Sequence, residues 1–250
     1  MKLIAIYTLW LRQLKRYFRS KSRIVGSLGQ PILFLLAVGF WLGPVFEKAG
    51  QGSYIQFLAP GIISMSILFT AIFSGIEVIW DRQFGFLKET LVAPVSRFEI
   101  MIGRTLGGAT VAMLQGILVL IISLIIGFRI TNFALLPLAL VFMFLIALLF
   151  TALGTGIASL LQDMTGFQLI MNFLVMPIFF LSGSIFPPSG LPGILTTIVR
   201  INPLAYGVDG LRGTLGQAAH FGLVTDFWVL SIFVIILVAI VRYLFSKIQV

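Results

Sequence analysis

The sequence lacks the residues on which most enzyme sites are built. It has no cysteine and a single histidine, His220, in 250 residues. The absence of cysteine excludes disulfides, thiolate chemistry and metal sites with Cys ligands. A lone histidine without ligand-type neighbours supports neither a zinc site nor an activated serine. A Gly-x-x-x-x-Gly-Lys-Ser/Thr phosphate loop is also missing, so the chain does not bind ATP by that route. We expect no catalytic residue, no metal and no cofactor in this chain.

Charged residues are equally scarce. They make up 10% of the chain, against about 25% in soluble proteins, and hydrophobic residues reach 59%, against about 45–50%. With a mean hydropathy of +1.11, a soluble fold of this length could not bury its apolar surface. The 17 Lys and Arg and the 8 Asp and Glu give a net charge of +9, but the cations do not alternate with exposed aromatics. We therefore expect a membrane protein with no nucleic-acid partner.

Uncharged stretches of the sequence predict the membrane spans. A helix needs about 20 apolar residues to cross the hydrocarbon core. The segment 186–226 is largely apolar but is broken by prolines, so we expect it not to span. The predicted fold class is an all-α membrane protein, one transmembrane domain over residues 1–250, with six transmembrane helices at about 25–46, 54–80, 105–128, 133–161, 167–185 and 227–244.

The distribution of Lys and Arg predicts the orientation. With the N-terminus in the cytoplasm, the cytoplasmic segments hold thirteen cations: seven before residue 24, four between Arg82 and Arg104, and Arg242 and Lys247. The opposite segments hold only four, namely Lys48, Arg129, Arg200 and Arg212. Cytoplasmic loops are enriched in Lys and Arg, so we expect both termini in the cytoplasm.

Residues 1–23 form a predicted amphipathic helix at the membrane interface. Its seven cations argue against a cleavable signal peptide. At 100° per residue its apolar side chains fall on one arc, which we expect in the acyl boundary: Leu3, Tyr7, Trp10, Leu11, Leu14 and Phe18. The opposite arc, which we expect to face anionic headgroups, holds Arg12, Lys15, Arg16 and Arg19. The helix either serves only as a topology anchor or also supports a cytoplasmic partner.

Polar residues recur at helical spacing inside the predicted spans. Such stripes occur both in helix packing and along the wall of a transport pathway, and packing is the more common reason. The only ionisable member is Glu77, at the inner end of the second span, and we expect it to pair with a basic neighbour rather than carry protons. The stripes are Ser66, Thr70, Ser74 and Glu77; Thr151, Thr155, Ser159 and Gln162; and Gln168 with Asn172.

The connection from Asp81 to Arg104 predicts a short helix on the cytoplasmic side. Phe84, Leu87 and Leu91 recur at i, i+3 and i+7, so residues 84–92 form a helix with one apolar face, which Pro94 ends. The residues from Ser96 to Glu99 match a capping box that begins the third span. The short helix either lies on the membrane or docks into a groove on a partner.

The opposite side carries the segment 186–226, which is rich in prolines and apolar residues. Residues 194–201 and 204–215 predict two short helices separated by Asn202 and Pro203. Apolar backbone that does not span is tolerated where it packs against protein or lines a cavity. We expect a re-entrant helical hairpin that caps the space between the spans.

Three stretches carry a resemblance to a known family. They are residues 54–61 (YIQFLAPG), 85–97 (GFLKETLVAPVSR) and 202–212 (NPLAYGVDGLR). In this order, and on these sides of the membrane, they resemble the ABC-2 type permeases, the membrane subunits of bacterial and archaeal ATP-driven exporters, and within them the daunorubicin-resistance branch. The likeness extends over nearly all of the chain.

The resemblance implies partners and roles. Two permease subunits, either a homodimer or this chain with a similar permease, would pair above two ABC ATPase subunits that hold ATP and Mg²⁺, in a bacterial or archaeal plasma membrane. The substrate would be an amphiphilic drug-like or lipid-like molecule, or alternatively a polysaccharide or glycolipid. Contact with the ATPase is expected from Phe84, Phe86, Leu87, Lys88, Glu89, Leu91 and Pro94. Leu87→Asp is expected to abolish substrate-stimulated ATP hydrolysis while leaving membrane insertion intact. The extracellular gate would comprise Pro187, Pro188, Pro192, Asn202, Pro203, Tyr206, Asp209 and Arg212.

Two other classes of function compete with this interpretation. An ion-coupled secondary transporter or channel would place charged residues near mid-membrane, and the predicted spans have none there. A membrane scaffold subunit that transports nothing would show an ATPase rate that ignores every candidate substrate.

Overall fold

The computed structural model describes residues 3–48, 53–187, 192–216 and 219–247. All regular secondary structure within those ranges is helical, and the described residues contain no strand. Of the residues assigned to sites from the sequence, Pro188 lies outside the described residues, and so do the side chains of Lys88 and Leu91.

Eleven α-helices and one 3₁₀ turn, Phe133–Leu135, make up the described fold. Eight α-helices precede the pair of short helices α9 and α10, and one long helix follows the pair. In chain order they are α1 (Leu3–Arg19), α2 (Lys21–Lys48), α3 (Tyr54–Phe73), α4 (Ile76–Gln83), α5 (Phe86–Val92), α6 (Arg97–Ile126), α7 (Leu136–Leu160), α8 (Met164–Phe180), α9 (Gly193–Ile201), α10 (Pro203–Leu215) and α11 (Leu223–Ser246).

Five helical segments of the described chain are long and apolar enough to cross a membrane. The prediction of six is therefore supported for five. The fifth predicted span corresponds to α8, which has only 17 residues and extends about 25 Å at 1.5 Å per residue. The five segments are Lys21–Lys48, Tyr54–Gln83, Arg97–Ile126, Phe133–Leu160 and Leu223–Ser246.

The segment Tyr54–Gln83 lies at the centre of the bundle, where 72% of its most apolar window is buried. It contacts α2, α6, α7 and α10. A Cβ atom on Gly154 of α7 would lie 2.3 Å from the Ile72 carbonyl oxygen, and one on Gly75 would lie 2.4 Å from the Gly154 carbonyl oxygen. These glycines let the backbones approach closely, as small residues do between membrane helices.

The helix α6 begins eight residues before the predicted third span. Its start is the predicted capping box: the Ser96 hydroxyl accepts from the Glu99 amide, and the Glu99 carboxylate accepts from the Ser96 amide. The extra turns carry Arg104 to the inside of the bundle, where the side chain is 3% exposed.

The N-terminal helix α1 packs along α6 instead of lying only on the membrane surface. Trp10, predicted in the acyl boundary, donates from its indole Nε1 to the Thr110 hydroxyl at 3.0 Å. The Tyr17 phenol donates to Gln115 Oε1 at 2.7 Å, and burial raises the pKa of this phenol. Glycines of α6 permit the contact, because a Cβ on Gly103 or Gly107 would collide with α1. The apolar side chains left exposed include Leu3, Ile4, Tyr7 and Phe18.

The two short helices predicted after residue 186 are present as α9 and α10. Asn202 separates them: its side chain accepts from the Leu204 amide and so caps α10, and it donates to the Ile178 carbonyl at 2.6 Å. Pro203 occupies the first turn of α10, where its missing N–H costs nothing. The helix α10 is largely buried and contacts α3, α7 and α11.

Candidate functional site

Two carboxylates on α4 are the centre of a charge cluster at one end of the bundle. Glu77 and Asp81 lie one turn apart, and their side chains are 4% and 8% exposed. Arg23 of α2 donates to Glu77 at 2.9 Å, and Arg16 of α1 lies 3.6 Å from the second Glu77 oxygen. The expected pairing of Glu77 with a basic neighbour is thus confirmed, with Arg23 as the main partner.

Asp81 accepts from two further arginines. Arg12 of α1 uses both terminal nitrogens, at 3.0 and 3.2 Å from the two carboxylate oxygens, and Arg104 of α6 donates to the same carboxylate. The pairs join α1, α2 and α6 to α4. They also correct the sequence-based placement of Arg12 and Arg16, which contact carboxylates of the protein, whereas Lys15 and Arg19 of the same arc are exposed.

The loop helix α5 follows directly and differs in detail from its prediction. Gly85 adopts a φ of +79°, a left-handed conformation that follows the end of α4 at Gln83 and delays α5 until Phe86. Phe84 is 82% exposed, whereas Leu87 is fully buried. Phe84 and Leu87 therefore do not share one exposed apolar face, because Leu87 packs into the core of the bundle; contact of this segment with a partner stays a prediction.

The remaining side chains of this connection divide between contact with the bundle and exposure. The Arg12 guanidinium lies 3.7 Å from the centre of the Phe86 ring, a cation–π contact that ties α5 to α1. Val92 is 86% exposed, and Glu89 and Pro94 are exposed as well. This region presents outward a surface that we call the loop-helix surface. It is formed by Phe84, Glu89, Val92 and Pro94.

The polar stripes separate into three environments. Ser74 and Thr151 meet at the α3–α6–α7 crossing, where a Cβ on Gly108 would lie 2.6 and 2.8 Å from their side chains, and Thr155 is buried nearby on α7. Helix packing, the more common reason for such stripes, accounts for these three. Gln168 and Asn172 lie on the exposed side of α8.

Ser66 and Thr70 have the third environment, a cavity between α2 and α3 with a volume of about 190 Å³. This α2–α3 cavity adjoins the charge cluster, because Arg23 is part of its wall. Its lining comprises Tyr17, Arg23, Gly26, Ser27, Gln30, Pro31, Met65, Ser66, Phe69, Thr70 and Phe73.

Arg212, one of the residues predicted as a gate, is buried at the other end of the bundle. The Arg212 guanidinium, 6% exposed, donates to the Gly183 and Ser184 carbonyls at 2.8 and 3.1 Å. It also lies 3.8 Å from the centre of the Phe57 ring. Burial lowers the Arg212 pKa to about 10, against the opposing charge of Asp209. The guanidinium thereby joins the irregular segment after α8 to α3 and α10.

Asp209 and Tyr206 hold the chain on either side of α10. The Asp209 carboxylate accepts from the His220 and Phe221 amides at 2.8 and 2.7 Å. The Tyr206 hydroxyl donates to the Arg200 carbonyl at 2.7 Å, and burial raises the pKa of this phenol. Pro187 and Pro192 border the undescribed stretch that contains Pro188. Within the described residues no group of three or more His, Asp or Glu side chains could hold a metal ion.

The sequence also matches known proteins along most of its length. The family model described as ABC-2 type transporter matches residues 4–215, from the second residue of α1 to the end of α10. The chain belongs to the ABC-2 type transporter family. Among the relatives of this ABC-2 permease, Nodulation protein J of Rhizobium leguminosarum bv. viciae is 30% identical over 199 residues, 78% of the chain and 76% of the relative.

A second relative matches a greater length of the permease. The inner membrane transport permease YadH of Escherichia coli (strain K12) is 29% identical over 236 residues, 93% of the chain and 91% of the relative. The family resemblance based on three short stretches is therefore confirmed. The protein is a multi-pass membrane permease of the ABC transporter class, and its family implies an ABC ATPase subunit as partner.

Sequence reasoning missed the arginines that complete the charge cluster of this permease. Arg23 and Arg104 were treated only as cations that orient the chain, and Asp81 only as the start of a loop. One signal was available: Glu77 and Asp81 are four residues apart, as are Arg12 and Arg16, so two helices can align two ion pairs. Nothing in the sequence indicated Arg104, because its partner is a residue of another helix.

Proposed function

We propose that this permease is the membrane half of an exporter driven by ATP hydrolysis in two copies of a separate ATPase subunit, where ATP and Mg²⁺ bind. The observation that carries the proposal is the loop-helix surface. The segment 84–92, which contains α5, is fixed to the bundle by Leu87 and by the Arg12–Phe86 contact. It presents Phe84 and Val92 outward, exposed by 82% and 86%. Large apolar side chains at a loop tip favour a protein partner.

The same proposal assigns the sides of the membrane. Thirteen of the seventeen cations fall on the side of the charge cluster, which supports a cytoplasmic position for both termini. In this arrangement α8 is the fifth of six spans, completed by the residues that follow it, since about 25 Å of helix falls slightly short of a hydrocarbon core of about 30 Å. The helices α9 and α10 are then an extracellular re-entrant hairpin that closes the pathway.

A second permease copy, most simply an identical one, completes the pathway. Gln168 and Asn172 support this assignment, because both amides are exposed on α8 among apolar side chains such as Phe173, which is 85% exposed. Polar side chains facing lipid are costly, so the α8 face favours contact with the second copy or with the substrate. The exported substrate is an amphiphilic drug-like or lipid-like molecule.

The experiment uses the permease reconstituted in vesicles with the ATPase that co-purifies with it. We expect Phe84→Ala combined with Val92→Ala to lower the substrate-stimulated ATPase rate about tenfold, because the apolar contact area of the docking helix is removed. The variant should still insert into the membrane and should unfold at the same temperature as the parent protein, because both side chains are exposed. Leu87→Asp is a poor test, since it places a charge in the permease core.

The control is Phe133→Ala, which removes an apolar ring that is 69% exposed at the other end of the bundle. It should leave the ATPase rate unchanged. An equal rate in the loop-helix variant and in this control would overturn the docking assignment. A transport rate that follows a proton or sodium gradient and ignores ATP would overturn the exporter itself.

A further inference from the structure

Asp226, in the first turn of α11, is the most deeply buried carboxylate of the described chain. The residue is 0% exposed, and neither carboxylate oxygen has a hydrogen-bond donor among the described residues. An ionised carboxylate that is buried without a partner is very costly, and the buried carboxylates of Glu77 and Asp81 are both paired with arginines. Asp226 therefore needs a partner of another kind.

The packing of α10 against α11 places Asp226 opposite Asp209. The two helices run antiparallel, with two glycines of α10 against two leucines of α11: Gly213 with Leu223, and Gly207 with Leu230. Asp209 lies between the two glycines in the sequence, as Asp226 lies between the two leucines. The two carboxyl groups come within hydrogen-bonding range of each other, so the register of two packed helices brings them together.

Asp209 already has the hydrogen-bond donors that a carboxylate needs. Its Oδ1 accepts from the His220 amide at 2.8 Å and its Oδ2 from the Phe221 amide at 2.7 Å, both in the turn before α11. Each carboxylate oxygen has two lone pairs, so Asp209 can accept one more hydrogen bond. A proton on Asp226 supplies that donor, and it removes one of two like charges that cannot both ionise when buried side by side.

No cation takes the place of that proton. Within the described ranges neither carboxylate forms an ion pair. Arg212 of α10 directs its guanidinium to the carbonyls of Gly183 and Ser184, so it acts on Asp209 only at longer range. A metal ion is also disfavoured, because hard cations take six or more oxygen ligands and the described residues bring no third acid or histidine to the pair.

The other titratable groups near the pair have partners of their own. The Tyr206 phenol donates to the Arg200 carbonyl at 2.7 Å. The exposed His220 ring packs edge-on against the Phe221 ring, with centroids 4.9 Å apart, and its link to Asp209 is the main-chain amide. The state of the pair therefore does not depend on an imidazole charge.

The remaining helices that pack against α10 and α11 bring no charge to this place. The helix α7 has no titratable residue. Those of α6 lie between Arg97 and Arg104, at the opposite end of the bundle. Tyr54 of α3 donates to the Ile185 carbonyl at 2.9 Å. The two carboxyl groups thus have each other as their nearest ionisable partners.

We propose that Asp209 and Asp226 form a proton-binding site, in which one proton held between the two carboxyl groups joins α11 to α10. The inference goes beyond the proposed function and does not depend on the ATPase partner. Asp226 carries the proton and donates to Asp209, which keeps the two amides of the preceding turn. Loss of the proton would leave two negative charges in contact away from water, so the junction between the two helices weakens as pH rises.

The first test compares thermal unfolding of the purified full-length permease and of Asp226→Asn in detergent, from about pH 5 to about pH 8. The asparagine amide donates to Asp209 without a proton, so the variant keeps the junction at every pH. The folded parent holds a proton that its unfolded chain releases above about pH 4, so its stability falls as pH rises. We expect its unfolding temperature to fall by about 3 °C per pH unit relative to the variant.

Two control variants separate this effect from other titrations. Glu47→Gln is the matched control, because it removes the same charge from an exposed carboxylate at the same end of the bundle; its unfolding temperature should follow that of the parent at every pH. His220→Gln removes the imidazole and keeps the main-chain amide that Asp209 accepts from, so it should show the same fall with pH as the parent.

The second test needs no variant to fold. An infrared spectrum of the parent at about pH 7, in a detergent without ester groups, should contain the C=O stretching band of a protonated carboxyl group, since exposed carboxyl groups have lost their protons at this pH. The band should persist in Glu47→Gln and be missing from Asp226→Asn.

Three outcomes would overturn the proposal. The first is a parent spectrum without the protonated band. The second is an unfolding temperature difference between the parent and Asp226→Asn that stays constant with pH. The third is stabilisation of the parent, and not of Asp226→Asn, by added Na⁺ or Ca²⁺, because a cation and not a proton would then lie between the two carboxylates.

Discussion

The two ends of this bundle stabilise buried charge with different partners. At the end with α4, Glu77 and Asp81 are each paired with two arginine side chains. At the opposite end, Arg212 donates to main-chain carbonyls, and Asp209 accepts from main-chain amides. The first end contains charge pairs between helices, and the second fixes loops to a helix through the backbone.

The difference has consequences for movement. Side-chain ion pairs can exchange partners, because each carboxylate at the α4 end has two arginines within reach and the arginines come from three separate helices. Main-chain carbonyls are fixed in the backbone, so Arg212 keeps its hydrogen bonds only while residues 183 and 184 stay in place. We infer that the α4 end tolerates small helix shifts and that the Arg212 end holds one closed arrangement. Three substitutions test this comparison.

The largest effect is expected from removing Asp81. Asp81→Leu leaves the Arg104 guanidinium, 3% exposed, buried without a carboxylate, and an unpaired buried charge of this kind costs about 3–5 kcal/mol. The purified full-length protein should unfold at a clearly lower temperature in detergent, if it accumulates at all.

The control for this prediction is the double variant Asp81→Leu with Arg104→Met. Replacing both members of a buried pair with apolar side chains is often neutral or stabilising, so the double variant should regain most of the lost stability. If the double variant is as unstable as the single variant, Asp81 acts through Arg12 and not through the buried arginine.

An intermediate effect is expected from Arg212→Lys. Lysine keeps the charge but has a single donor nitrogen in place of the planar fork, so it cannot reach both carbonyls and the Phe57 ring together. Loss of one charge-assisted hydrogen bond costs about 2 kcal/mol. Because the chain has no cysteine, Ser184→Cys provides a unique probe of this region. Ser184 is fully buried, so a maleimide should label it slowly in the parent and faster after Arg212→Lys. Equal labelling rates would show that Arg212 does not hold the segment.

Local patterns predicted much of the fold because their causes are local. Uncharged stretches indicated the long helices, the capping box at Ser96 marked the start of α6, and Asn202 with Pro203 marked the break before α10. Each of these depends on a few neighbouring residues. Their side chains accept hydrogen bonds from the free N–H groups at a helix start, or they lack charge and so can lie in the membrane.

Contacts between distant residues were not predictable in the same way. Arg12 and Asp81 are 69 positions apart, and Arg212 and Ser184 are 28 apart, so no spacing rule relates them. Leu87 shows the same limit at short range. Its periodicity indicated an apolar face, but whether that face contacts the bundle or a partner depends on how α5 turns at Gly85. The polar stripes show the same limit. Ser66 and Ser74 belong to one stripe, yet Ser66 borders a cavity whereas Ser74 lies where helices cross.

The smallest effect is expected from Arg16→Gln, and it examines the claim that partners at the α4 end are interchangeable. Arg16 is 36% exposed and lies 3.6 Å from Glu77, which retains Arg23 at 2.9 Å. A partly exposed ion pair of this kind contributes about 0.5 kcal/mol, so the unfolding temperature should barely change. Arg23→Gln should cost more, because it removes the shorter contact and leaves Glu77 with the weaker one. The combined variant should lose more than the sum of the two, since only then is the buried carboxylate without any arginine. Strict additivity in thermal unfolding would mean that Glu77 does not exchange its partners, and the proposed contrast between the two ends would then rest on Asp81 alone.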